Sequence, residues 1–295
     1  MIQSYLTYLI IVWAVTAIGG LALNLVVGWL GMVNLAQVGV MTFAAYAMAI
    51  VSVLHGYSLG VGCLVGLFAA IVAGFGLACL TRIVKGEELQ VLLMGVSFVA
   101  FSLAINLTSL TRGPLGIPGI PRLFGLVEDR WFLLLTLATL IVVSLLVSSL
   151  VRSPFGRVMG SLRDDELHAR VLGKRASHVK YVGILIASFI AALAAILQVQ
   201  LIRFLDPATF FLPQQLFLLS VVFLGGLASV RGTLVGAAIM TFLPEVVRFI
   251  PGIEPTSVGA WRGIIFSALL LFVVLERPKG LFGTVELPSS YVDRD

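Results

Sequence analysis

The first 81 residues contain no Asp, Glu, Lys or Arg, and the first such charge is Arg82; His55 is the one imidazole before it. As a single helix this stretch would run about 120 Å at 1.5 Å per residue, four times the roughly 30 Å of a bilayer's hydrocarbon core. It must therefore cross a membrane several times. The rest of the chain agrees: 60% of the 295 residues are AVILMFWYC and 11% are charged, against roughly 25% charged in a soluble domain. A soluble enzyme, a disulfide-stapled secreted scaffold and a nucleic-acid-binding domain are therefore poor readings, although the net charge is +5. Those cations belong on loops facing the cytoplasm.

Cys63 and Cys79 stand 16 residues apart in one apolar run. At helical rise that is about 24 Å, out of disulfide reach, and both read as small apolar helix residues. Met1 to Ile10 lacks the basic start and small-residue cleavage site of a removable leader, so the start is expected to be mature sequence.

Breaking the chain at charges and Gly/Pro clusters gives helices near 5–27, 33–54, 59–81, 89–110, 130–150, 181–203, 214–250 and 261–275. The 214–250 stretch is too long for one crossing, and Gly225, Gly226, Arg231 and Gly232 divide it, with the second half starting near Gly232. The expectation is an all-α polytopic bundle of about 8–9 spans. The whole chain, 1–295, reads as one transmembrane domain, with a cytoplasmic segment at about 151–180 and a cytoplasmic tail at about 276–295. Placing 151–180, the turn at 82–88, the break near Arg231 and the tail on one face puts 13 of the 19 Lys and Arg residues there and 6 on the other. That asymmetry orients the bundle; nine crossings would leave the N-terminus outside and the C-terminus in the cytoplasm.

Three stretches depart from plain helix: Gly28 to Asn34, Thr111 to Pro121, and Leu224 to Gly232. Irregular backbone at membrane depth survives only where protein or a water-filled cavity satisfies it, so Asn24, Asn34, Gln37, Gly225 and Gly226 are candidate pathway residues. The competing reading is packing: Gly62 with Gly66, and Gly232 with Gly236, have the spacing that lets helices approach closely, and buried amides also bond neighbouring helices. The spans carry no charge at mid-depth, where an ion-coupled carrier would place Asp, Glu or His. This points to an energy source outside the chain.

Ten of the 33 charged residues fall between Arg152 and Lys180. Ser153-Pro154 is a helix start and Gly173 a stop. A helix between them would align Val158, Leu162, Ala169 and Leu172, interrupted by Asp165, and would place Arg163, Glu166 and Arg170 on another face. The plain reading is a solvated loop; the sharper one is a docking helix on the membrane surface, offering mixed charge to a cytoplasmic partner. The chain has no G-x-x-x-x-G-K-[ST] phosphate loop, no H-E-x-x-H and no G-x-S-x-G. Catalytic residues and metal ligands are expected to be absent.

Several segments resemble the inner-membrane permeases of branched-chain amino acid ABC importers. They are Arg152-Ser153-Pro154-Phe155-Gly156-Arg157 with Leu162 to Glu166 and Leu172-Gly173, Leu110 to Pro121, Val222 to Ser229, Leu243-Pro244-Glu245, and Arg277 to Gly283. Most of the chain is similar to the M-type partner of the usual permease pair, whereas Gly31 to Gln37 is closer to the H-type, with Gln37 where a His is common. The resemblance implies a second permease subunit, two cytoplasmic ATPase subunits that bind the ATP, and an extracytoplasmic binding protein in a bacterial inner membrane. It also implies coupling to the ATPases through Arg157, Arg163, Asp164, Asp165, Glu166, Arg170 and Gly173. No cofactor is expected in this chain. A branched-chain or other small amino acid is the implied solute; urea or a short amide, and a self-sufficient carrier or channel, are the alternatives.

Overall fold

The computed structural model describes residues 2–84, 86–123, 129–246, 267, 268, 271 and 280–283. Eleven helices run through the described residues. They are α1 (Ile2–Asn24), α2 (Gln37–Ala49), α3 (Leu59–Ile83), α4 (Glu87–Asn106), the short α5 (Thr108–Thr111), α6 (Asp129–Arg152), α7 (Pro154–Asp164), α8 (Glu166–Val171), α9 (Ala176–Ile202), α10 (Leu212–Gly225) and α11 (Val230–Val246). Single π-turns, Leu25–Trp29 and Ile50–Leu54, prolong α1 and α2. Seven helical stretches among the described residues are long and apolar enough to cross a membrane, and the protein is a multi-pass membrane protein. The seventh joins the 3-10 turn Pro207–Phe210 to α10. The expected span at 261–275 lies outside the described residues apart from residues 267, 268 and 271.

Residue pattern decides which helices sit at the centre. From Leu9 onward α1 is apolar all round and buried on nearly every side, as expected of a helix with no polar face. It packs on α6, α9, α10 and α11, while α2 packs on α3, α4 and α9. α6 buries one stripe, Phe132, Thr136, Leu140, Val143 and Val147, at three- and four-residue spacing, and turns Leu134, Ile141, Val142 and Leu145 outward. In α3 the inward stripe is small: Gly62, Gly66, Ala70, Gly74 and Ala78. A Cβ on Gly66 would stand 2.7 Å from the Ala44 carbonyl oxygen, and one on Gly74 would stand 2.3 Å from Ser188 Oγ. These helices touch backbone to backbone, as small residues permit.

Four features refine the sequence expectation. The region 154–173 is two helices, because Asp165 turns out of helical geometry (φ −156°) and caps α8, its Oδ1 accepting from the His168 N–H at 2.9 Å. The second half of the 214–250 stretch starts at Val230, with Ala228 at φ 56° completing the turn before it. Residues 111–121 hold a 3-10 turn, Gly113–Leu115. They also hold a two-residue strand, β1 (Ile117–Pro118), paired antiparallel with β2 (Phe204–Leu205). That small ladder, inside an otherwise all-α fold, fastens the Pro-rich loop to the far end of α9. Gly116 (φ 66°) is required there, since a Cβ would meet the Leu205 carbonyl oxygen at 2.5 Å.

Candidate functional site

One end of the bundle gathers the Gly28 turn, the end of α3, the α7–α8 segment and the Gly225–Ser229 turn. Cap chemistry builds α7. Ser153 Oγ accepts from the Gly156 N–H at 3.4 Å and donates to the Leu150 carbonyl at 2.6 Å, with Pro154 opening the helix. Gly156 lets the corner close, because a Cβ would lie 2.2 Å from the Val151 carbonyl oxygen. Gly173 ends α8 at φ 76°, its N–H bonding the Arg170 carbonyl at 2.9 Å.

Most of the charges in this segment are satisfied within the chain. Arg163 Nη1 donates to the Gly28 carbonyl at 3.0 Å and Nε donates to Asp164 Oδ1 at 2.9 Å. The aliphatic stem of Arg163 fills the space a Cβ on Gly31 would take, with Cγ 2.6 Å from that point. Glu166 accepts from Arg170 Nη2 and from Lys180 Nζ, both at 2.5 Å, and so clamps α8 to the second turn of α9. Partial burial alone would raise the Glu166 carboxyl, but the Lys180 hydrogen bond and charge, reinforced by Arg170, leave it below the usual range. Asp165 is also lowered, first by the His168 backbone N–H and then by the His168 side chain. Arg157 is exposed, and its one hydrogen bond among the described residues is to the Arg152 carbonyl, at 3.4 Å.

The stripe expected across the segment divides at Asp165. Met159, Leu162 and Ala169 are buried, while Leu172 turns outward. Leu167, Val171 and Leu172 are 72%, 79% and 77% exposed, which makes an apolar knuckle on the outer face of the shortest charged helix. Composition does not reveal it, because the knuckle exists only once the helix breaks and Leu162 and Ala169 turn inward.

The amides expected along a pathway divide into two clusters, each holding distant segments together. Asn24 is fully buried. Its Nδ2 donates to the Gly226 carbonyl (3.3 Å), the Ser229 carbonyl (3.3 Å) and Thr233 Oγ1 (2.7 Å), and its Oδ1 accepts from the Ala228 N–H (3.1 Å). Asn34 and Gln37 bond each other at 3.3 Å. Gln215, not singled out in the sequence, joins them: its Nε2 donates to the Asn34 carbonyl at 3.0 Å and its Oε1 accepts from the Val38 N–H at 3.3 Å. The Gln214-Gln215 pair directly after Pro213, at the head of an otherwise apolar helix, is the signal that would have marked it. Gln37 Nε2 is buried with no hydrogen-bond partner among the described residues. Gly225 and Gly226 occupy a crowded turn: a Cβ on Gly225 would lie 2.2 Å from the Gly232 carbonyl oxygen, and one on Gly226 would lie 2.2 Å from the Gly283 nitrogen. The Leu281 and Phe282 N–H groups bond the Leu224 and Gly225 carbonyls at 3.0 and 2.9 Å. Cys63 and Cys79 are free thiols.

The family model described as branched-chain amino acid transport system / permease component matches residues 5–274. The high-affinity branched-chain amino acid transport system permease protein LivM of Escherichia coli K12 is 30% identical over a 292-position alignment that covers 89% of this chain. The protein of the same description from Salmonella typhimurium LT2 matches equally. This chain spans 66% of the length of these relatives. Among solved structures, a metal-chelate type ABC transporter in an inward-facing conformation aligns at a TM-score of 0.50 with 21% identity, covering 92% of this chain and 84% of that one. This last likeness is one of fold alone.

Proposed function

The chain belongs to the branched-chain amino acid transport system permease component family, and from that premise we propose that it is the membrane-spanning subunit of an ATP-driven importer. On this reading the cation-rich end faces the cytoplasm in a bacterial inner membrane. A second permease subunit completes the pathway, an extracytoplasmic binding protein delivers the solute, and two ATPase subunits dock on the α7–α8 segment. The solute is a branched-chain or other small amino acid.

The observation that carries the docking part is the knuckle of Leu167, Val171 and Leu172. Three large exposed apolar side chains within six residues, beside charges already satisfied internally, suit burial against a partner. The Arg163–Gly28 bond then gives a mechanical route. A push on α8 reaches α7 through the Asp165 cap, and α7 is bonded to the turn at the end of the central helix α1. From there Asn24 connects to the Gly-rich turn between α10 and α11. Motion imposed at the surface thereby reaches the bundle's core through short contacts between rigid elements.

Reconstitution tests the reading. Liposomes holding this chain, a second permease and ATPase subunits, supplied with binding protein and ATP, should accumulate a branched-chain amino acid. Omitting the ATPases should abolish uptake. Uphill transport by this chain alone would overturn the proposal.

A further inference from the structure

Beside the docking segment lies a second feature that the transport reading does not use. A cavity of about 470 Å³ opens between the end of α3 and the start of α9, lined by Arg82, Arg170, Lys174, Arg175 and His178 together with Ala176 and Ser177, and by no acidic residue. Arg170 spends part of its charge on Glu166. Arg82, Lys174, Arg175 and His178 have no ion-pair partner among the described residues, and all four are exposed. The 27-residue helix α9 begins at this cavity with no acid in its first turn, so its positive dipole end adds to the same field.

The cavity sits at the foot of an apolar track. α3 turns Leu64 (68% exposed), Phe68 (66%), Val72 (54%) and Phe75 (53%) outward, at spacings of four, four and three residues that keep them on one face. The Phe75 ring meets Tyr181 of α9 edge-on with centroids 5.2 Å apart, closing the cleft between the two helices just below the cations. A soluble phosphate compound would use the cations and leave the track bare; a phospholipid uses both. We propose that this is a binding site for an anionic phospholipid of the cytoplasmic leaflet, its phosphate headgroup on Arg82, Lys174, Arg175 and His178 and an acyl chain along the outer face of α3. Headgroup attraction of this kind is worth about fivefold in affinity per cation near the surface.

The test uses the purified full chain, with whichever subunits accompany it, in nanodiscs of phosphatidylcholine with and without phosphatidylglycerol. Lipids retained after extraction are counted by native mass spectrometry. Wild type should retain phosphatidylglycerol in preference to phosphatidylcholine. Arg82→Gln, Lys174→Gln and Arg175→Gln should each lower that preference about fivefold, and Arg82→Lys should keep it. Phe68→Ser should weaken lipid retention and lower the phosphate concentration needed to displace the lipid.

Equal retention by wild type and the neutralised variants would overturn the site. So would displacement of the lipid by millimolar phosphate at the same concentration for wild type and Phe68→Ser, which marks a soluble-anion site. Loss of an associated ATPase subunit with lipid retention unchanged would assign the cations to that partner instead. If a neutralised variant fails to fold, the wild-type preference and its loss in 1 M KCl decide the matter, because a headgroup held by exposed cations is screened by salt.

Discussion

Arg163 and Gly28 are 135 residues apart in the chain, yet the Arg163 guanidinium donates to the Gly28 backbone oxygen at 3.0 Å. Gly28 belongs to the π-turn that prolongs α1, and a π-turn frees carbonyls from the regular ladder. A surface helix is thus anchored to the end of the most buried span by a charge-assisted bond, the stronger kind of hydrogen bond. Removing Arg163 should therefore cost both stability and coupling. Arg163→Ala is expected to lower stability by about 1–3 kcal/mol and to reduce solute moved per ATP hydrolysed in the reconstituted transporter. Arg163→Lys, which cannot serve Gly28 and Asp164 together, should fall between. A wild-type melting midpoint and wild-type stoichiometry in both variants would dissociate this bond from coupling.

The apolar knuckle makes the opposite prediction. Leu167, Val171 and Leu172 are so exposed that Leu167→Ser or Val171→Ser should change stability by no more than about 0.5 kcal/mol. Co-purification of ATPase subunits should nonetheless fall at least tenfold, since burying a Leu or Val side chain against a partner is worth about 1.5–3 kcal/mol, and about 1.4 kcal/mol is tenfold in affinity. Undiminished capture by the double variant would rule the knuckle out as the docking surface.

Glu166 supplies a pH signature. Its pKa is lowered from the ordinary 4.5 by Lys180 and Arg170 against the effect of burial. A carboxyl lowered on folding contributes stability that is fully present above its unfolded value and disappears as pH falls through the folded one. The stability gap between wild type and Glu166→Gln should accordingly stay level from pH 7 to about 5.5 and close below the ordinary value. Melting curves across that range decide it; a gap that closes near neutral pH would assign the effect to a different group.

Gly225 separates packing from pathway. With the Gly232 carbonyl oxygen 2.2 Å from the position of a Cβ, Gly225→Val should prevent α10 and α11 from closing and abolish recovery of the assembled protein. Gly95→Ala serves as the control, because nothing lies within 4 Å of its Cβ position. It sits inside α4, where Ala is favoured over Gly by up to about 1 kcal/mol, so yield should be unchanged or better. A well-assembled Gly225→Val with reduced uptake would instead make this glycine part of the solute route.

Local chemistry was legible from the residues alone. The charge-free start forces multiple crossings, Ser153-Pro154 and Gly173 bound the docking segment, and the small-residue spacings of α3 and α11 announce close helix contact. Each of these depends on neighbours within a few turns, where periodicity and caps act. What the residues alone left open was direction: whether Arg163, Glu166 and Asn24 face a partner, a solute or their own chain. Only the tertiary structure decided that. Arg163 reaches Gly28, Glu166 reaches Lys180, and Asn24 reaches the Gly226–Thr233 turn about 200 residues away. Such pairings arise because burial in a bundle makes an unpaired polar group costly, and which partner it finds depends on how distant helices pack. The same packing turned Leu162 inward and Leu172 outward, leaving an apolar surface on a segment whose composition reads as charged.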